Sequence, residues 1–244
     1  MFRALLSTAL PLLLIVLPAR ATPTGDQPAG EVKARIPNAT RNAHPLAVKD
    51  TLQWNDLLKT DAKGRLRAGL TDGSILSVGS NSELRVVQHD ASSQQTVIEM
   101  DYGKLRNQVV KITQPGGKYE VKTPNAVIGV IGTDFYVGYD NNQTTVICYE
   151  GLLTVTAAGT TVTLSAGQMV VVTGKDKMGQ PTPVSPAIVQ ASIGDTNIPD
   201  LGKKEGVVAS HRTKIIVATA IIVTAGLTIA LTQINSSSKP CGCK

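Results

Sequence analysis

The 244-residue chain has three histidines, His44, His89 and His211, and three cysteines, Cys148, Cys241 and Cys243. The histidines are too far apart in sequence to form a local metal motif, so a zinc or iron site would need distant carboxylates to complete it. His89 closes an alternating run beside Asp90, whereas His44 and His211 lie in polar, proline-containing stretches. Cys148 sits inside an apolar alternating run, the environment of a small buried hydrophobe. Cys241 and Cys243 fall in the last four residues, a spacing that gives no disulfide framework. They read as inert thiols, with acylation or metal binding at Cys241-Gly-Cys243 as the alternative. Glu99 and Asp101 flank Met100 and so face solvent on a strand. Asp134 has no companion carboxylate for proton transfer, so it reads as a turn acceptor or a partner contact rather than a catalytic acid. The sequence contains no phosphate loop and no nucleophile elbow. The expectation is a protein without catalytic residues, cofactor or metal. The enzyme-class alternative, a metal-dependent β-barrel, would want the closely spaced histidines that this chain lacks.

The elements that would position these groups are strands. Aromatics make up 3% of the chain, so the core has to come from Val, Ile, Leu and Ala. Leu66, Ala68 and Leu70 alternate with polar residues, and Asp72-Gly73 is a hairpin signal. Leu84 and Val86 alternate next, and residues 97–105 form a further strand with Gly103 inside it. Pairs at 146/148, 153/155, 162/164 and 170/172 follow, separated by Glu150-Gly151, Ala158-Gly159 and Ala166-Gly167. Short strands with regular turns predict an all-β body, sandwich-like or solenoid-like. Residues 119–138 are its centre. Tyr119 and Val121 alternate, Pro124 breaks the ladder for want of an N–H, and an apolar run from Ala126 to Ile131 is interrupted by Gly129 and Gly132. Phe135, Val137 and Tyr139 then alternate. Glycine within a strand marks a bulge, a bend or a close approach. Trp54, the only tryptophan, reads as a lid over the edge of the core or, less simply, as a stacking surface for a ligand.

The stretch Lys122-Thr-Pro-Asn-Ala-Val-Ile-Gly-Val-Ile-Gly-Thr-Asp-Phe resembles the signature of the FecR-domain family. Its structural residues here are Thr123, Pro124, Ala126, Gly129, Gly132, Thr133 and Phe135. Blocks upstream (Asp50 to Asp61, then Leu70-Thr-Asp-Gly-Ser-Ile-Leu) and downstream (Glu150-Gly151-Leu152, then Leu164-Ser-Ala-Gly167-Gln-Met-Val) fit the same family, and together they span residues 48–172. The resemblance implies a compact all-β coil and a part in relaying an envelope signal. Between its two signature glycines the family often carries a basic residue, where this chain has Ile131. Typical members place a cytoplasmic sigma-factor-binding domain and a membrane helix ahead of the FecR domain. In this sequence the order differs.

Residues 1–21 read as a secretory signal, with Arg3, an uncharged apolar stretch and Ala19-Arg20-Ala21 as a cleavage site. Residues 22–47, with four prolines, read as a disordered lead-in. Residues 48–173 form the expected β domain, and residues 174–214 a flexible proline-containing linker. Residues 215–234 are uncharged and long enough for a membrane helix, which needs about 20 residues. Residues 235–244 are a short tail. The expected placement is therefore an exported β domain on the periplasmic side, single-pass in the cell membrane. Net charge is +6, from 24 Lys+Arg and 18 Asp+Glu, and loss of Arg3 and Arg20 with the signal leaves +4. No dense basic stripe with interleaved aromatics points to nucleic acid. The expected partners are the membrane and an envelope protein, peptide or glycan, touched by turns, by Asp134 or Trp54, or by an exposed strand edge. A structural scaffold of the envelope is the alternative.

Overall fold

A computed structural model describes residues 28–199. The expected signal segment, membrane helix and tail, with His211, Cys241 and Cys243, lie outside the described residues. Among the described residues no helix is long and apolar enough to cross a membrane.

The alternating pattern folds as 18 strands and one helix among the described residues. In chain order these are β1 (Pro28–Ile36), β2 (Ala39–Arg41), β3 (His44–Pro45), β4 (Thr51–Gln53), β5 (Leu57–Thr60), β6 (Arg65–Leu70), β7 (Ile75–Val78), β8 (Ser82–Asp90) and β9 (Gln95–Gln108). Then follow β10 (Lys118–Thr123), β11 (Ala126–Val130), β12 (Asp134–Asp140), β13 (Gln143–Glu150), β14 (Leu152–Ala157), β15 (Thr160–Ser165), β16 (Gln168–Thr173), β17 (Lys177–Met178), β18 (Thr182–Pro183) and the helix α1 (Pro186–Thr196).

From β6 onward the chain lays down hairpins alternately in two sheets. The first sheet runs β4-β1-β6-β7-β9-β12-β13-β16, with β17 and β18 on its last strand. The second runs β3-β2-β5-β8-β9-β10-β11-β14-β15. Only the β9–β10 pairing is parallel among these. The long strand β9 belongs to both sheets: residues 95–102 pair with β8, and residues 103–108 pair with β12. It changes sheet at Gly103, where φ is +106° and a Cβ would lie 2.3 Å from the Cα of Ser82. No side chain fits there, which explains the glycine inside an otherwise regular strand.

The inward faces of both sheets form one apolar cluster built on Leu, Val and Ile, including Leu66, Leu84, Ile98, Leu105, Ile128, Val137 and Val155. The two large rings meet edge to face, Tyr119 and Phe135, with centroids 6.4 Å apart. The Tyr119 hydroxyl donates to Asn107 Oδ1 at 2.9 Å, and Asn107 Nδ2 has no partner among the described residues.

The body is wider than the sequence pattern drew it. Residues 28–47, read as disordered, contribute β1, β2 and β3. β1 pairs with β4 and β6, and Ala29, Val32, Ala39 and Leu46 are buried in the core. Of the prolines that suggested disorder, Pro28, Pro37 and Pro45 stand at strand ends and turns, where no ladder N–H is needed. Residues 174–199, read as part of a flexible linker, contribute β17, β18 and α1. Pro186 opens the helix instead of breaking it, since its missing N–H lies among the unbonded first-turn donors. Ser185 caps the end, its side chain accepting from Ile188 N.

α1 lies on the outer face of the first sheet. Tyr149 Oη and Ser192 Oγ share a hydrogen bond, Lys104 Nζ pairs with Asp195 at 2.9 Å, and Arg65 Nε donates to the Asp195 carbonyl at 2.9 Å. Tyr136 and Ile147 are buried outside the main core cluster. Together with Ile188 and Ala191 they line a groove of about 340 Å³ beneath the helix.

Sheet edges differ sharply in how they are blocked. β3 and β18 have two residues each and contain Pro45 and Pro183, and β4 has three residues. β15 is six residues long, without proline or charge, and its register with β14 is unbroken.

Candidate functional site

The residues singled out by sequence occupy two consecutive corners. In the first, Thr123-Pro124-Asn125-Ala126 forms the two-residue turn between β10 and β11, with Thr123 paired to Ala126. Thr123 Oγ1 accepts from Ala126 N at 3.1 Å and shares a hydrogen bond with Thr144 Oγ1 at 2.8 Å. Asn125 Nδ2 donates to the carbonyl of Asn142 at 3.1 Å, which ties this turn to the β12–β13 turn. The polar signature residues here are internal ties between neighbouring hairpins.

In the second corner, Ile131-Gly132-Thr133 carries the chain from β11 in the second sheet to β12 in the first. Gly132 has φ +125°, and a Cβ would stand 2.7 Å from the Lys111 Cα. Thr133 is buried, and its hydroxyl donates to the Leu152 carbonyl at 2.9 Å. Gly151, at the next crossing, has room for the Gly132 carbonyl because it lacks a side chain: a Cβ would lie 2.9 Å from that oxygen. Gly167 N donates to the Cys148 carbonyl at 2.9 Å. Phe135 fills the core. Gly129 is different: it lies mid-strand in β11, between Glu120 and Thr154, with no bulge. The bend follows from Gly132 alone, because only there is φ positive.

Asp134 is not the turn acceptor that sequence suggested. Its carboxylate takes both arms of Arg106, Nε at 2.9 Å and Nη2 at 2.6 Å. The guanidinium also lies over the Tyr149 ring, 5.2 Å from its centroid. The Asp134 carboxylate pushes the Arg106 pKa above its ordinary value. This two-pronged pair fixes the corner against β9, and sequence could not find it because the partners are 28 residues apart and meet only through strand register. Next to it a cavity of about 460 Å³ is lined by Gln108, Lys111, Gly132, Thr133, Asp134 and Glu150.

On the outside of this corner stand two aliphatic side chains. Ile131 is 68% exposed and Leu152 57% exposed. Val130 pairs with Leu153, so continuing the register sets Ile131 beside Leu152. Nothing among the described residues covers them.

Trp54 lines a different cavity, of about 430 Å³, with Pro28, Thr71, His89, Asp90 and Ser92. Its ring packs against the core and its Nε1 donates to the His89 carbonyl at 2.9 Å. The His89 ring is buried between the hydroxyls of Thr71 (2.8 Å from Nε2) and Thr96 (2.9 Å from Nδ1). Burial lowers its pKa, against the pull of Asp72 and Asp90. Both nitrogens are engaged by the fold itself. Burial pushes the Cys148 thiol up to about 11, so it stays protonated and unreactive at neutral pH. Glu99 and Asp101 are exposed on either side of buried Met100. Among the described residues no three of His, Cys, Asp and Glu gather as metal ligands would. The structure thus leaves Trp54 and Asp134 in separate cavities. What it offers is surface: an ion-paired, aliphatic corner and an open strand edge.

No curated protein sequence matches the chain. Among solved structures, the fold is similar to crystal structures at 1.65 and 2.50 Å resolution of a candidate anti-sigma factor from Parabacteroides distasonis, with TM-scores of 0.48 and 0.49 and 17% sequence identity. Those alignments cover 55% of this chain and 62–63% of the other. Residues 56–154 match the family model described as FecR protein. They begin just before β5, take in both signature corners and stop within β14, so both corners lie inside the stretch that matches the FecR model.

Proposed function

We propose that this FecR-type body is a non-enzymatic binding module of the bacterial cell envelope, exported and held at the membrane, which docks a protein partner at the second signature corner and so takes part in envelope signalling. The observation that supports this is the aliphatic pair Ile131 and Leu152, 68% and 57% exposed beside the Arg106–Asp134 pair. Such a patch is a docking surface in miniature, an apolar centre rimmed by charge. The adjoining cavity is lined without an aromatic ring, which favours a protein over a glycan that stacks on rings. Ile131 stands where relatives often have a basic residue, so the partner's matching surface would be apolar in place of acidic. Membrane attachment and export rest on the sequence of residues 215–234 and 1–21.

The test is a photo-crosslinking amino acid at position 131 or 152 of the full chain in its native envelope, with exposed Lys63 and Gln114 as controls. A discrete protein adduct from 131 and 152, weakened when the neighbouring residue of the pair becomes Asp, is the expected result. Adduct patterns no different from those at the controls would overturn it.

A further inference from the structure

We infer that β15 is a self-pairing edge, through which two copies of this chain join their second sheets into one continuous sheet about a two-fold axis. An open edge is a template for another strand, and folded proteins ordinarily block theirs with proline, charge, bulges or brevity. The other edges here are blocked by length or proline, as described above. β15 has none of these devices.

Its chemistry selects the occupant. The β14–β15 turn is the two-residue Ala158-Gly159, with φ of 51° and 70°, and the pair flanking such a turn is hydrogen-bonded. Thr160, Val162 and Leu164 therefore face their backbone groups to β14, while Thr161, Thr163 and Ser165 face theirs outward. Ser165 N already donates to Gln168 Oε1 at 2.8 Å, as an outward amide must find an acceptor. The free groups are those of Thr161 and Thr163. A second β15, antiparallel, satisfies all of them in one register: Thr161 against Thr163 in both directions, with Val162 facing Val162 on the axis. Val162 is only partly buried against the core, and this contact would finish covering it.

Charge argues for a second copy as the partner. The chain carries a net +6, so two copies repel wherever charged surfaces meet. The two-fold axis opposes Val162 to itself, Thr161 to Thr163 and Thr160 to Leu164. On β15 the opposed residues are Thr, Val and Leu, and the outer face of β11, β14 and β15 shows only Val127, Gly129, Leu152 and hydroxyl side chains. This is a surface where like-charged copies can approach. The strand lies beyond residues 56–154 and so outside the family match. The arrangement would point both Ile131–Leu152 corners to the same side of the joined sheet, but it does not depend on what docks there.

The experiment uses the full chain with Cys241 and Cys243 changed to Ser, leaving buried Cys148. Val162→Cys should form a disulfide-linked dimer under mild oxidation, since opposed residues of a non-hydrogen-bonded antiparallel pair lie at about 4.5 Å between Cα atoms, within disulfide reach. Thr156→Cys, one strand inward and on the opposite face, should not. Thr161→Pro removes an outward N–H without touching the β14 ladder, and should weaken association at least about tenfold with an unchanged melting transition. A chain that sediments as a monomer, a dimer indifferent to Thr161→Pro, or a Val162→Cys adduct only with another protein would each overturn the proposal.

Discussion

The two sheets treat their outer faces differently. The first sheet's outer face is dressed: α1 lies across it, anchored by Tyr149, Lys104 and Arg65, and Tyr136 and Ile147 are buried there as fully as core residues. The second sheet's outer face is bare, and over β11, β14 and β15 it carries no charge. A face already filled by its own chain contributes stability, whereas one left open contributes contact. Substitutions should therefore divide into those that unfold the protein and those that leave it folded but unattached, with the corner at Gly132 at the boundary.

The largest effect is expected at that boundary. Gly132→Val forces a β-branched residue to positive φ against the Lys111 backbone, and should cost about 4 kcal/mol or abolish the cooperative melt. Next comes the dressed face: Tyr136→Ala should cost about 3 kcal/mol in denaturant unfolding, because the ring lies under α1. If it costs little, the helix is not a true cover.

A smaller effect probes the interior beneath the second sheet. His89 is buried, and its pKa is depressed below the ordinary 6.5. The neutral ring is favoured in the folded state, so its contribution is complete above pH 6.5 and is lost as pH falls through the lower, folded value. Acid stability should fall in that window by up to about 1.4 kcal/mol per pH unit. In His89→Gln that slope should vanish, leaving only the carboxylate losses at lower pH, such as that of Asp90, whose pKa is lowered by Ser92 and Ser93. Thermal melts across that range check it. Smallest of all, Gly129→Val should change stability by less than about 1 kcal/mol. It adds a strand-favouring side chain to the open face, with only the Thr154 hydroxyl, 3.1 Å from the new Cβ, in the way. A large loss there would mean the bare face is not bare.

Gly129 and Gly132 also show where sequence reading stops. Both interrupt the same apolar run, and by sequence both read alike, as a bulge, a bend or a close approach. Only backbone angle separates them, and angle follows from which neighbour crowds the chain. Alternation and turn residues made the hairpins from β6 to β16 readable, because those signals are local. Asp72-Gly73, Pro124-Asn125 and Ala158-Gly159 all fall at turns between paired strands. The flanks were not readable. β1 contains one proline and follows others, and its strand character comes from β6, some thirty residues away. α1 has an apolar content too evenly spread around the helix to show a face, and its burial involves Ser192 and Thr196. Nothing near Arg106 in sequence announces Asp134, 28 residues away, as its partner.

Strand β9 has a final consequence. Among the described residues it is the one strand shared by both sheets, and it denies either layer a life of its own: peeling one away drags the common strand from the other. Its amides, from Ile98 through Leu105, should be the last in the molecule to trade hydrogen for deuterium. A tug transmitted along the chain would then meet resistance as a single event and not as two successive yields.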